Sequence, residues 1–263
     1  MILKNVLLLM PIIFNLTLVQ AKVGNYDEFP KIDGGFVALA KDKIGLLVRP
    51  NDVIERVKKA TSALQSSTEN LEGSAIKYFI KKSDCIAWIN LYRASLIGGM
   101  RLGRGMATCQ IEGKVKTWSA PFYIQMGELS AGAQLGADQS DYFLFFPDKS
   151  TFLNVLKGNV KMSGNTALTV AKWGRSASIG TDVDVMEMEI KKDVIYSYAV
   201  SRGAYAGVTL DGGLIIANES YNHTAYHLNE IEKIINLSYK KAPLETRSFS
   251  MILDNITKAE IKN

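Results

Sequence analysis

The chain is poor in histidine and cysteine, with two of each among 263 residues. That scarcity argues against a Cys/His metal scaffold. Cys85 and Cys109 are far apart, no histidine lies near either, and zinc sites need closely spaced ligands. It also leaves few groups for acid–base catalysis, and no cluster of paired carboxylates stands out. No internal repeat or low-complexity linker divides the chain into two domains. Neither sign of charge dominates: 31 Lys and Arg face 26 Asp and Glu, a net charge of +5 with a pI near 9.0. So small an excess favours anionic partners only weakly and makes a poor nucleic-acid footprint. What the chain has is apolar material, 47% against 22% charged, enough for a core and against disorder throughout.

Long apolar runs are also missing, apart from the first residues. "MILKNVLLLMPIIFNLTLVQA" carries Lys4, an apolar stretch from Val6 to Leu18, and Val19-Gln20-Ala21. The stretch is interrupted by Pro11 and Asn15 and is shorter than the ~20 residues a bilayer requires. It reads as a signal peptide, residues 1–21, cut after Ala21. No cysteine lies near the cut to take a lipid. The expectation is an exported protein of the periplasm or cell envelope, or a secreted one. An oxidising compartment permits a bridge between Cys85 and Cys109, both in strand-like segments; two buried thiols are the alternative.

Residues 22–50 match neither period well and read as an extended arm before a single domain, 51–263. Pro50-Asn51-Asp52 opens a helix in which Val53, Val57, Ala60 and Leu64 share a face, with Arg56, Lys58 and Lys59 off it. A second short helix is expected at 72–82. From Cys85 to Asn218 the pattern changes to short strands, "CIAWINLY", "FYIQMG", "DYFLFFP", "TALTVAKWG", "DVIYSYAV" and "GGLIIAN". One helix interrupts them at "PDKSTFLNVLKG", capped by Asp148 or Ser150. Helical spacing returns in the tail, with Ile231, Ile234 and Ile235, then Ile252, Ile256 and Ile261.

Three glycine-rich stretches could be mistaken for nucleotide loops. "SRGAYAGVTLDGG" at 201–213 continues into strand rather than helix, and Asp211-Gly212 signals a hairpin. "IGGMRLGRGMA" at 97–107 and "GELSAGAQLGA" at 127–137 read the same way, as curved hairpin sequence. The predicted fold is α+β and β-rich: a twisted antiparallel sheet or small barrel with flanking N- and C-terminal helices.

These segments, in order, resemble the SYLF-domain family, a lipid-binding module of bacterial exported proteins and eukaryotic membrane-trafficking proteins. The motifs are "TWSAPFYI" at 117–124, "AGAQLGADQSDYFLFF" at 131–146, "GRSASIGTDV" at 174–183 and "YSYAVSRGAYAGVTLDGGLI" at 196–215. The resemblance spans roughly 70–220, and the leader sequence points to the exported bacterial branch. Two places depart from the family pattern. "YRASLIGG" stands where members carry a Lys-Ala-Gly-Phe-like stretch, with Arg93 in the place of the lysine. "YNHTAYH" at 221–227 replaces an aromatic pair and glycine. The resemblance implies binding to anionic lipids such as phosphatidic acid or phosphoinositides.

The residues offer groups for this. Residues 51–120 hold eleven Lys and Arg against six Asp and Glu, whereas 121–222 hold eight against eleven. A basic, amphipathic helical region can lie on an anionic bilayer. The expected lipid contacts are Arg56, Lys58, Lys59, Lys77, Lys81 and Lys82, with Arg93, Arg101 and Arg104 from strand-like sequence. The alternative is that they are ordinary solvated faces. Arg175 and Arg202 sit in the family motifs and could instead pair with Asp182 or Asp211. His223, His227 and Glu230 have a spacing that could present metal ligands on one helix side, but no glutamate lies between the histidines. "GRSAS" misses the nucleophile elbow around Ser176. The sequence therefore reads as noncatalytic, without metal or cofactor, its partner an anionic membrane surface. A protein partner, for an envelope scaffold or host-contact protein, is the alternative. Four N-glycosylation sequons, at Asn218, Asn222, Asn236 and Asn255, would matter only in a eukaryotic secretory pathway.

Overall fold

A computed structural model describes residues 50–69, 73–95, 99–113, 117–130, 136–157, 169–174, 189–202, 214–228 and 230–259. The expected signal peptide and nearly all of the arm lie outside the described residues, as do Ser176, Asp182, Asp211 and Ile261. Helix α1 spans Pro50–Glu69 and α2 spans Gly73–Lys81. Strands β1 (Cys85–Ser95), β2 (Gly99–Ile111), β3 (Thr117–Trp118), β4 (Phe122–Ser130) and β5 (Gly136–Phe146) follow. Helix α3 (Lys149–Leu156) precedes β6 (Thr169–Gly174), β7 (Val194–Arg202) and β8 (Leu214–Ala217). The tail holds α4 (Glu219–Tyr226), α5 (Ile231–Ile235), two 3-10 turns at Tyr239–Lys241 and Leu244–Thr246, and α6 (Ser248–Lys258).

The strands run in the order β6-β7-β5-β1-β2-β4-β8, with β3 paired to β2. Every pairing is antiparallel except β6 with β7, which is parallel. Among the described residues the sheet is open, with β6 and β8 at its edges, so the α+β sheet forms and the barrel alternative does not. Both faces are covered, and this shapes the sequence. On β1, Cys85, Ala87, Ile89 and Leu91 enter one cluster while Ile86 and Trp88 enter the other. A strand buried on both sides reads as a continuous apolar run. The first cluster is closed by Phe152 and Val155 of α3 and by Ile234 and Ile235 of α5. The second is closed by Val53, Val57, Ala60 and Leu64 of α1, Ile76, Phe79 and Ile80 of α2, and Phe249 and Leu253 of α6. Large side chains such as Trp88, Phe143 and Phe145 are fully buried, each contributing about 1.5–3 kcal/mol over exposure.

The expected hairpins divide. The stretch at 97–107 belongs to a true hairpin, β1 with β2. The stretch at 127–137 does not: β4 pairs with β2 and β8, β5 with β1 and β7, so the link crosses the β1–β2 pair. It connects strands with two others between them rather than turning one onto its neighbour. The strands flanking 201–213 are likewise separated, β7 lying against β5 and β6 and β8 against β4. The hairpin expected there is not a pairing of β7 with β8, and its Asp211-Gly212 turn lies outside the described residues.

Cys85 and Cys109 are joined by a disulfide bond. They face each other in the β1–β2 register. The Gln110 amide donates to the Asp84 carbonyl at 2.6 Å, so the neighbouring pair is hydrogen-bonded and the cysteines occupy the closer, non-hydrogen-bonded position.

Candidate functional site

Of the expected lipid contacts, four stand on the surface. Lys58 and Lys59 are exposed on α1, and Lys77 and Lys82 are exposed on and just after α2. Lys82 Nζ lies 5.8 Å from the Tyr78 ring. None of the four meets a carboxylate among the described residues. Helices α1, α2 and α6 adjoin one another, and the same layer exposes Ile54, one turn before Lys58, and Met251 of α6. Lys81 is committed elsewhere: its Nζ donates to the Ala259 carbonyl at 2.6 Å, tying the end of α2 to the end of α6.

Arg56 overturns the expectation most clearly. It is 6% exposed, with its guanidinium 3.8 Å from the Tyr221 ring centroid and 5.7 Å from that of Tyr123. It cannot contact a bilayer from there. The reason is helical geometry: Arg56 lies three residues after Val53 and four before Ala60, inside the buried arc rather than beside it. Burial pulls its pKa below the usual arginine value, and the neighbouring Arg104 charge adds to the effect. Burial also pushes the Tyr123 and Tyr221 phenols up, so both stay neutral.

The strand arginines fall into two cross-strand rows. The ladders set Asp138, Arg93, Arg101 and Glu128 in register across β5, β1, β2 and β4. The side chains of Arg93 and Arg101 lie outside the described residues. Three positions along, the register reads Asp141, Asn90, Arg104 and Gln125. Here the polar groups are linked. Asn90 Nδ2 donates to Asp141 Oδ1 at 2.7 Å, Gln139 Nε2 to Asn90 Oδ1 at 3.0 Å, and Asn218 Nδ2 to Gln125 Oε1 at 3.2 Å. Asn90, Asp141 and Asn218 are buried, while Arg104 and Gln125 are partly exposed. A polar seam thus crosses an otherwise apolar sheet beneath α1, with Arg104 in the middle and Arg56 above. No sequence period marked it, because it exists only across strands.

The divergent segment at 221–227 has a structural task. Asn222 accepts from the Tyr123 amide at 2.7 Å and donates to the Tyr123 carbonyl at 3.1 Å. It continues the β4 ladder beyond the last residue of β8. Asn218 caps α4 by accepting from the Tyr221 amide at 3.1 Å. Both asparagines are buried, which shuts their sequons to a glycan. His227 ends α4 in the left-handed region at φ 54°. Glu230 lies beyond that helix and pairs with Lys233 at 2.7 Å, so His223, His227 and Glu230 do not share one helix. The side chains of Arg175 and Arg202 lie outside the described residues.

Comparison with known proteins gives a family likeness. The model for Ysc84, described as a Las17-binding protein actin regulator, matches residues 127–256. That segment runs from β4 to α6, so all nine expected lipid contacts precede it. Protein YSC84 of Saccharomyces cerevisiae is 24% identical over 216 residues, covering 76% of this chain and 45% of that protein. LAS seventeen-binding protein 3 of the same yeast is 25% identical over 65% of this chain and 38% of its own length. SH3 domain-containing YSC84-like protein 1 of Homo sapiens is 25% identical over 79% of this chain and 60% of its own length. The chain thus spans about half the length of these relatives, and no solved structure matches it. The ordered motifs, the sheet they build and these relatives together make the chain similar to the Ysc84/SYLF-domain family, whose model matches residues 127–256.

Proposed function

We propose that this protein is a noncatalytic, peripheral binder of anionic membrane lipid, exported with residues 1–21 removed. The observation that carries the reading is the set of exposed lysines, Lys58, Lys59, Lys77 and Lys82, on two adjoining helices that also expose Ile54. Lysines near an anionic surface contribute about 1 kcal/mol each, and an apolar side chain among them can enter the headgroup layer. No helix among the described residues is long and apolar enough to cross a membrane. The Cys85–Cys109 bridge supports an oxidising compartment, and with it export to the periplasm, the envelope or the medium.

The test is vesicle pelleting with phosphatidylcholine alone and with added phosphatidic acid. Binding should rise with phosphatidic acid and fall with salt. Each Lys→Gln change among the four should weaken binding about fivefold, and Lys81→Gln should change it less. Binding that ignores lipid composition, or survives loss of all four lysines, overturns the reading.

A second reading is a protein interface, favoured by the description of the matching family as a Las17-binding actin regulator and by the name of the yeast relative, LAS seventeen-binding protein 3. Co-purification of one stoichiometric protein from the native envelope, with no lipid dependence, would support it.

A further inference from the structure

Arg56 is a buried cation set against two tyrosine rings. A guanidinium carries five N–H donors and no acceptor. The Arg56 ring contacts engage its face, but Nη1 is buried without a hydrogen-bond partner. Leaving a charged donor orphaned away from water is costly, more so than for a neutral one. Arg104 stands close enough for its charge to act on Arg56, so two like charges share a region walled by Tyr123 and Tyr221. One acid is near, Asp52, half-buried at the start of α1, whose carboxylate accepts from the Tyr221 hydroxyl at 3.5 Å. Among the described residues the Arg104 charge acts against that of Arg56, and Asp52 acts in its favour. On the far side of Arg104, Asp141 is engaged by Asn90 at 2.7 Å. A water molecule could satisfy Nη1, but it would add no negative charge beside the two arginines. An oxyanion does both, and the planar guanidinium fork suits phosphate oxygens. Arg104, Gln125 and Asp52 are only partly buried, so the cluster is not wholly enclosed.

We propose that Arg56 and Arg104 together form a binding site for a single phosphate-class oxyanion, with Arg56 as the buried anchor and Arg104 as the partly buried contact. The occupant is a free phosphate or the phosphate of a headgroup. The site goes beyond the surface lysines, so it can fail while the membrane reading stands.

The experiment uses the full chain in inorganic phosphate, against chloride at matched ionic strength, with the unfolding temperature followed as phosphate rises. The expected result is a saturable stabilisation by phosphate. Arg104→Gln should raise the half-saturating concentration about tenfold or more, as loss of a charge-assisted contact implies. Arg104→Lys, which keeps the charge without the fork, should fall between, and Lys58→Gln should match the native chain. No saturable effect, or equal effects on the native chain and Arg104→Gln, overturns the site. Vesicles then separate the sources. If Arg104→Gln also loses binding to phosphatidic acid vesicles, the occupant is a headgroup. If it binds vesicles normally and loses only the phosphate effect, the occupant is a free anion. Vesicle binding that depends on Lys58 and Lys59, with no phosphate saturation in any variant, rejects this site and keeps the membrane reading.

Discussion

Gly103 and Gly105 show how little of a residue's situation is visible in one dimension. Both sit in a strand-like pattern, where glycine signals bending or a close backbone approach. Only the structure separates them. A methyl group at Gly105 would lie 2.0 Å from the Trp88 carbonyl oxygen and 3.0 Å from Ile89 Cα, both backbone atoms of β1. At Gly103 it would meet the Ile89 Cγ2 at 2.6 Å and the Met126 Cβ at 3.1 Å, which are side-chain atoms. Backbone cannot turn aside, so Gly105→Ala should cost about 3 kcal/mol or more, and Gly103→Ala about 1 kcal/mol. Urea midpoints at unchanged slope would measure both; equal losses would contradict the assignment. Arg56 is the converse case. Its spacing from Val53 and Ala60 places it inside, against the preference of a charged side chain for water. The tyrosines that receive it, Tyr123 and Tyr221, are distant in sequence and carry no local sign of the contact.

Among the elements, the helices were legible and the strand pairings were not. Helices α1 and α2 were expected at nearly their observed bounds, because a 3.6-residue period and capping residues are local signals. Helix α3 is the clearest instance. Asp148 caps it, its carboxylate accepting from the Thr151 amide at 2.8 Å and from the Thr151 hydroxyl at 3.1 Å. Partial burial alone would raise the Asp148 pKa. The hydrogen bonds from Ser150 and Thr151 and the Lys192 charge outweigh burial and hold it below the ordinary value. Asp148→Ala should therefore cost about 1 kcal/mol at neutral pH. A depressed folded pKa gives stability that is present above the unfolded value near ~4 and is lost as pH falls through the folded value. The stability gap between native and variant should accordingly close below about pH 4. A gap of constant size across that range would show that the charged cap is not its source. Strand partners escape such reading, since the separation of β4 from β5 and of β7 from β8 is fixed by the sheet and not by the turns between them.

For the whole molecule, the motif order carried the family likeness and the α+β class, while the polar seam and the phosphate-class site had no linear trace. The bridge between Cys85 and Cys109 closes a loop with a sequence separation of 24, for which the chain-entropy account gives about 3 kcal/mol. Reduction, or Cys85→Ala with Cys109→Ala, should lower the melting temperature by about 6–12 °C. An unchanged melting temperature would mean that the link does not form in solution.

The strand order β6-β7-β5-β1-β2-β4-β8 has a kinetic meaning. The only long hairpin among the described strands, β1 with β2, stands at the centre, with β5, β7 and β6 added on the β1 side and β4 and β8 on the β2 side. Local pairings close cheaply and distant ones slowly. Assembly is therefore expected to start at the β1–β2 hairpin, with the edge strands β6 and β8 depending on partners already in place.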